Sequence, residues 1–226
     1  MAKLVFDIET IGEDFDSLDK ITRDSLTRWL KKESESEEEY KIALEELKAG
    51  LGFSPLTGSI AAIGVLDVER NLGAVYYQNP GKPDKDFEEG GITLRAMGEK
   101  EMLEKFWEGA IKYQQFISFN GRAFDAPFLL VRSAVHGVRP TVNLMPYRYA
   151  NDTTHLDLLD QLTFYGSVRK KGNLHLWSRV FGIKSPKTEG ITGEDVGQLF
   201  KEGKYLDIAR YNVGDLRATR ELYLIW

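Results

Sequence analysis

A short apolar run that leads into alternating acids opens the chain, and it decides the predicted fold class. It comprises Lys3-Leu4-Val5-Phe6-Asp7-Ile8-Glu9-Thr10. The apolar residues before Asp7 are strong strand formers, so we predict a strand over residues 3–8. Side chains two apart on a strand point to one face, which places Asp7 and Glu9 together at the carboxyl end of this strand. Paired carboxylates at that edge of a sheet are typical of a Mg²⁺ or Mn²⁺ site, and the competing interpretation is a turn with solvated acids.

A second acidic candidate follows another predicted strand, at residues 115–119. The turn Asn120-Gly121 leads from this strand into a predicted helix over residues 125–136, and Asp125 begins that helix. Two interpretations of Asp125 stay open: an N-cap of its own helix, or a carboxylate that faces the same sheet edge as the first pair. Phe124 likewise suits either the core or a stacking contact.

The third candidate lies on the last predicted helix, over residues 205–226. Tyr211 and Asp215 are four apart, so their side chains lie on the same face of that helix. Taken alone, this spacing also fits an ordinary amphipathic helix with an exposed tyrosine and aspartate.

The remaining pattern predicts an α/β fold. Strands are predicted at residues 59–67, 72–78 and 153–159, helices at residues 98–113, 173–182 and 194–202, and a loop at residues 79–91. Early strands followed by strand–helix–strand units indicate a mixed sheet flanked by helices. We find no linker composition, and we predict one domain over residues 1–226.

A helical insertion, at about residues 13–58, is predicted after the first strand. Two amphipathic helices are expected within residues 13–50, with the acidic run 33–39 between them as a solvated helix start or loop. This segment has 12 acidic and 7 basic residues, while the rest of the chain has 23 of each, so the net charge of −5 comes from the insertion.

The three candidate motifs together resemble those of the DEDD exonuclease superfamily, in its tyrosine-bearing (DEDDy) branch. Residues 6–10 are similar to the first motif, residues 120–125 to the second and residues 211–215 to the third; His155-Leu156-Asp157-Leu158 adds to the likeness. The family that the chain resembles is the predicted 3′→5′ exonuclease family related to the proofreading domain of family B DNA polymerases. The chain departs from the family pattern in one respect. A plain exonuclease core joins its first two strands by a tight turn, whereas here a long segment lies between them.

The resemblance implies a ribonuclease H-like fold and an enzyme that needs two divalent ions, Mg²⁺ or Mn²⁺. The implied catalytic residues are Asp7, Glu9, Asp125, Tyr211 and Asp215. The four carboxylates would hold the metal ions, with Asp7 shared by both, and Tyr211 would orient the attacking water. Thr10, Asn120 and Phe124 are implied as substrate-binding residues. The expected reaction is hydrolysis at the 3′ end of single-stranded DNA, with release of 5′-mononucleotides.

Other functions on the same fold stay open: an exoribonuclease, a non-catalytic nucleic-acid-binding module, or an endonuclease of the ribonuclease H type, which would not require Tyr211. The expected partner is a nucleic acid with a free 3′ end. The basic cluster Arg169-Lys170-Lys171 suits either phosphate contacts or a solvated loop. The chain has no cysteine, which excludes disulfides and thiolate metal sites. We expect a cytoplasmic protein that makes no use of a membrane.

Overall fold

The computed structural model describes residues 1–81, 86–150, 154–184 and 193–226. Its strands are β1 (Lys3–Gly12), β2 (Gly58–Asp67), β3 (Gly73–Tyr77), β4 (Phe87–Glu89), β5 (Ile92–Ala96), β6 (Gln115–Ser118) and β7 (His155–Asp157). Its α-helices are α1 (Lys20–Thr27), α2 (Leu30–Glu33), α3 (Glu37–Gly50), α4 (Glu99–Ala110), α5 (Asp125–Val135), α6 (Leu158–Leu162), α7 (Leu174–Val180), α8 (Val196–Lys201) and α9 (Tyr205–Ile225). In these ranges, no helix is both long and apolar enough to cross a bilayer.

The described strands form one sheet in the order β4-β5-β3-β2-β1-β6-β7. β1 pairs antiparallel with β2 and parallel with β6, and β6 pairs parallel with β7. The parallel half of the sheet therefore brings the carboxyl ends of β6 and β7 to the level of Asp7 on β1. The predicted mixed α/β sheet flanked by helices is confirmed.

β1 is longer than its apolar pattern predicts, and this corrects the placement of the acidic pair. The strand runs to Gly12, because its register with β2 shifts after Glu9 and then continues with Thr10 opposite Ile60. Asp7 and Glu9 are thus inside the strand rather than at its end. The edge of β1 beside the two acids is not paired with β6, because the pairing of these strands ends at Val5 and Ile117.

The structure also adds two strands that the sequence analysis did not predict. β4 lies within the segment predicted as a loop, residues 79–91, and β5 follows it. β5 pairs parallel with β3, and β4 pairs antiparallel with β5 at the edge of the sheet. Part of the segment, residues 82–85, lies outside the described residues. The strand predicted over residues 153–159 is wrong at its end, because Leu158 already begins α6; residue 153 lies outside the description.

Each face of the sheet has its own core, and alternation along β1 assigns the faces. Leu4, Phe6 and Ile8 pack in the core beneath α4 and α5. Val5 belongs to the opposite core, where α9 covers the sheet. Asp7 and Glu9 share the face of Val5, since side chains alternate along a strand. They consequently face α9, the helix with Tyr211 and Asp215.

The segment between β1 and β2 contains α1, α2 and α3, where the sequence predicted two helices. The acidic run is divided between the end of α2 and the first turn of α3, which Ser36 caps by accepting a hydrogen bond from the backbone N–H of Glu39 at 3.2 Å. Three glutamates in that first turn complement the positive end of the helix dipole. The single-domain assignment stays a prediction.

Candidate active site

Three carboxylates from two distant parts of the chain meet above the sheet. Asp7, Glu9 and Asp215 each offer an oxygen, and these oxygens lie within 4.8 Å of one another. Glu9 is buried, whereas Asp7 and Asp215 are partly exposed. A cavity of about 260 Å³ borders Asp7 and Asp215 and opens toward Asn120 and Gly172. The cluster is therefore reachable from solvent.

Crowding of negative charge changes the protonation of this cluster. Burial, with the nearby charges of Asp125, Asp215 and Glu9, raises the pKa of Asp7 well above its ordinary value. Burial and the charge of Asp215 raise the pKa of Glu9 in the same direction, against the hydrogen bond from Asn212. A group of acids with raised pKa values favours either protons or cations, because either removes the mutual repulsion.

Asn212 cross-links the first two acids, and the sequence analysis missed it. Its amide Nδ2 donates to Asp7 Oδ2 at 2.8 Å and is 3.4 Å from Glu9 Oε1. The side chain is fully buried, and its Oδ1 atom has no hydrogen-bond partner among the described residues. The sequence contains one sign of this role. Asn212 lies between Ile208 and Leu216 on the apolar face of α9, where a hydrophobic residue is the norm.

Gly64 makes room for that amide. It pairs with Asp7 in the β1–β2 register, and a Cβ atom placed on it would lie 1.8 Å from Asn212 Oδ1. Any larger residue at position 64 would push Asn212 away from the acids. A glycine inside an otherwise apolar strand signals this kind of close approach.

Asp125 lies against β1 between Asp7 and Glu9, which agrees with the interpretation that it faces the same sheet edge as that pair. Its Oδ1 accepts a hydrogen bond from the backbone N–H of Ile8 at 2.9 Å, and α5 begins without a side-chain cap. The N-cap interpretation is wrong, because Phe124 occupies the cap position. Asp125 is absent from the three-acid group, although its charge acts on Asp7. Burial raises the pKa of Asp125 to about 7, against the hydrogen bond from Ile8.

The turn before Asp125 is shaped by Asp157. The Asp157 carboxylate accepts from the backbone N–H groups of Asn120 and Arg122 at 2.8 and 3.0 Å, and it also caps α6. Asn120 adopts a left-handed φ of 64°, which asparagine tolerates better than most residues. Asp157 thus ends its strand and holds the loop that places Asn120 beside the acidic cavity.

Tyr211 lies one helical turn before Asp215 and interacts with the same acids. Burial raises the pKa of its phenol, and the charges of Asp215, Glu9 and Asp7 add to the effect, as does its hydrogen bond to Asp215. The phenol therefore keeps its proton at neutral pH. It is suited to hydrogen bonding and unsuited to serve as a phenolate base.

The remaining two substrate-binding candidates lie where the insertion meets the site. The Thr10 hydroxyl donates to the carbonyl of Gly52 at 2.7 Å, which leaves it only as an acceptor for a ligand. The Phe124 ring contacts Phe53 of the insertion and Phe128 of α5, with ring centres 6.5 and 5.4 Å away. It is partly buried, so it has features of both the core and the stacking interpretation. Both substrate roles stay predictions.

Comparisons with known proteins agree with the fold. The family B DNA polymerase from the hyperthermophilic archaeon Pyrobaculum calidifontis matches with a TM-score of 0.58 and 16% sequence identity. The match covers 100% of this chain and 24% of that chain, so this protein spans about a quarter of the polymerase's length. At this identity the likeness establishes the fold alone. Comparison with curated proteins finds no significant match.

A match to a protein-family model shows which family this chain belongs to. The model of the predicted 3′-5′ exonuclease related to the exonuclease domain of PolB matches residues 81–226, which is more than half of the chain. The matched segment contains Asp125, Tyr211 and Asp215, and it begins after Asp7 and Glu9. The suspected family is thereby confirmed, and this chain belongs to the predicted 3′-5′ exonucleases related to the exonuclease domain of PolB.

Proposed function

We propose that this protein is a metal-dependent 3′→5′ exonuclease of the tyrosine-bearing DEDD type, which removes 5′-mononucleotides from single-stranded DNA. The observation that carries the proposal is the meeting of Asp7, Glu9 and Asp215 oxygens within 4.8 Å, with Tyr211 on the same face of α9 as Asp215. Family membership supports a nucleic acid as the substrate.

The donor set fits hard divalent cations. Carboxylate oxygens are the ligands that Mg²⁺ and Mn²⁺ prefer, and the three acids bring such oxygens close enough together to share an ion. Asp7, Glu9 and Asp215 would hold the ions, and Asp125, whose Oδ1 is already bonded to Ile8, would support them from one side. A pair of such ions, when bound, supplies charge neutralisation and stabilises the attacking and leaving oxygens of an in-line displacement.

The chain's own residues supply positioning. Tyr211 would hold the attacking water by a hydrogen bond from its protonated phenol, whose O–H now bonds to Asp215 and would turn to the water once Asp215 holds an ion. The water oxygen forms a bond to phosphorus, and the bond from phosphorus to the 3′ oxygen of the preceding nucleotide breaks. The products are a 5′-mononucleotide and a strand shortened by one residue with a new 3′ hydroxyl. Asn120 borders the cavity and would contact the terminal nucleotide.

The test uses DNA 12-mers with a 5′ label, incubated with Mg²⁺ or Mn²⁺. We expect a ladder of progressively shorter products and no cutting of circular single-stranded DNA, which an endonuclease would cut. RNA 12-mers run in parallel decide between DNA and RNA. Absence of metal-dependent digestion of any linear strand by folded protein would contradict the proposal.

Two variants, each with a matched control, test whether Tyr211 and Asp7 belong to the active site. Tyr211→Phe should slow the single-turnover rate by about 10²–10³-fold, because the water loses its positioning bond, whereas Tyr205→Phe on the same helix should leave it unchanged. Asp7→Asn should abolish measurable digestion, whereas Asp24→Asn in the insertion should not. Full activity of Asp7→Asn would place the site elsewhere.

A further inference from the structure

The acidic cavity continues into a second cavity that the proposed chemistry does not use. The second cavity has a volume of about 310 Å³ and shares Asn120 and Leu159 with the first. It is bordered farther along by three basic residues, Arg122, Arg148 and Lys171, and by two acids, Asp157 and Asp160. The Asp157 carboxylate accepts from backbone N–H groups, and Asp160 pairs with Arg148. A strand whose 3′ end lies beside Asp7 therefore has an open path in this direction.

Positive charge follows the same path. Arg122 has a buried Nη1 atom without a hydrogen-bond partner among the described residues, while its Nη2 donates to the Pro146 carbonyl at 2.7 Å. The exposed cluster 169–171 makes no ion pair with any described acid, and it leads directly into Gly172 at the first cavity. Basic side chains along a path of this kind suit the phosphates of a nucleic acid backbone.

Exposed aromatic rings lie next to Arg148 and Asp160, two residues that border the second cavity. Tyr147, Tyr149 and Tyr165 are 74%, 56% and 40% exposed. The ring of Tyr149 lies between the other two, with ring centres 5.8 Å from Tyr147 and 5.0 Å from Tyr165. Arg148, between the first two, bonds to Asp160 in the wall of the second cavity, which fixes the rings beside it.

The backbone holds Tyr165 outward at a conformational cost. Phe164 and Tyr165 have left-handed φ values of 49° and 55°, which are rare for aromatic residues. The Tyr165 N–H donates to the Asp160 carbonyl at 2.7 Å, and Gln161 Nε2 donates to the Tyr165 hydroxyl at 2.8 Å. Strain of this kind persists where the surroundings enforce it, and such positions are enriched in functional surfaces.

We infer that Tyr147, Tyr149 and Tyr165 form a stacking surface for the bases of single-stranded nucleic acid upstream of the 3′ end, reached through the basic cavity of Arg122 and Lys171. The inference rests on the proposed function, because it assigns the path of that enzyme's substrate. A single strand is the ligand that fits, because its unpaired bases expose the faces that aromatic rings contact. The surface lies beside the second cavity through Arg148 and Asp160, and three basic residues against two acids in that cavity leave an excess of positive charge for phosphates.

The experiment compares binding and hydrolysis for different substrate lengths. Binding of 5′-fluorescein oligo-dT of two and twelve nucleotides is measured by anisotropy in EDTA, where metal-dependent hydrolysis cannot proceed. KM is then measured with Mn²⁺ for the same two lengths. Tyr149→Leu removes the central ring, Tyr149→Phe keeps it, and Trp29→Ala removes an exposed aromatic residue from the insertion as a control.

We expect Tyr149→Leu to weaken 12-mer binding and raise the 12-mer KM by about tenfold, with the dinucleotide values and kcat unchanged. Tyr149→Phe and Trp29→Ala should resemble the unmodified protein. Equal 12-mer affinity in Tyr149→Leu and the unmodified protein overturns the stacking surface, even if digestion proceeds. If no strand is digested but the weaker 12-mer binding is still seen, the exonuclease proposal falls and the surface stands.

Discussion

At the scale of single residues, Asn212 controls how Asp7 and Glu9 are oriented toward each other. Its amide reaches both carboxylates from α9, and Gly64 opposite Asp7 leaves the space it occupies. Groups that bond to metal-binding side chains set their orientation, and their removal usually costs 10–100-fold in affinity or activity. Asn212 is thus a positioning residue for the proposed site.

The first prediction concerns Asn212→Ala. We expect Mn²⁺ affinity, measured by calorimetry, to fall by about 10–100-fold, because the two carboxylates lose their common donor. Stability should change little, since the substitution also removes a buried Oδ1 atom that lacks a partner among the described residues. Gly64→Ala should give a similar reduction by displacing the amide. Unchanged Mn²⁺ affinity in both variants would contradict the role.

The second prediction concerns the protonation of the acidic cluster in metal-free protein. Asp7 and Glu9 have raised pKa values, and that of Asp125 is about 7. At a pH between the ordinary pKa and the raised pKa of the folded protein, these carboxyl groups are protonated in the folded state and ionised in the unfolded state. Stability contributed by these groups is therefore lost as pH rises, for Asp125 across the window from its ordinary 3.8 to about 7.

Asp7→Asn should relieve this destabilisation. At pH 8 in EDTA we expect the variant to be more stable than the unmodified protein by at least about 1 kcal/mol, or about 2–4 °C in Tm. His155, whose pKa burial lowers to about 4, has the opposite pH dependence, but it is present in both proteins and cancels in the comparison. Added Mg²⁺ should stabilise the unmodified protein and not Asp7→Asn. A lower Tm for the variant at pH 8 in EDTA would contradict the repulsion argument.

At the scale of elements, one buried acid, Glu99, links α4 and α5 to each other and to the sheet, in addition to the hydrophobic core beneath them. It begins α4, accepts two hydrogen bonds from Arg132 of α5 at 2.8 and 2.7 Å, and accepts another from the Ile60 backbone N–H of β2 at 2.8 Å. Burial would raise its pKa, but the bonds from Arg132, Ile60 and His136 hold the pKa below its ordinary value. Because α5 also begins with Asp125, this connection positions one side of the candidate site.

The third prediction is that Glu99→Ala lowers the free energy of unfolding by about 3–5 kcal/mol, because it leaves Arg132 and the Ile60 N–H without their buried partner. Urea denaturation measures the change. Glu104→Ala, an exposed position on the same helix, should shift stability by less than about 0.5 kcal/mol. Equal midpoints for the two variants would show that the ion pair does not join the elements.

At the scale of the whole molecule, charge is divided between the insertion and the rest of the chain. The insertion has five more acids than bases, and the remainder is neutral. Within that neutral remainder, the basic cluster 169–171 lies beside the acidic site, because Lys171 borders the second cavity and Gly172 borders the acidic cavity. Overall net charge therefore understates how strongly one surface would attract phosphates.

The fourth prediction tests that division by salt dependence. Replacing Arg169, Lys170 and Lys171 with glutamine should reduce the slope of log affinity against log salt for a DNA 12-mer, by about 0.7 for each phosphate that is no longer neutralised. Replacing Lys31, Lys32 and Lys41 of the insertion changes net charge equally and should leave the slope unchanged. Identical slopes for both triple variants would show that cluster 169–171 makes no phosphate contacts and is a solvated loop.

The sequence by itself determined the elements that depend on local pattern. The apolar run of β1, the helical spacing of α4, α5 and α9, and the three motifs with Asp7, Asp125 and Asp215 are all readable from neighbouring residues, because side-chain periodicity is a local property. These were enough to predict the α/β class and the family, and both are confirmed.

Only the tertiary structure decided which atoms meet. The register of β1 with β2, which extends β1 past the acids, depends on pairing between residues about 50 positions apart. The bond from Ile8 to Asp125 joins residues 117 apart, and the bond from Asn212 to Asp7 joins residues 205 apart. Contacts of that separation depend on how elements pack against one sheet, and no local pattern specifies them.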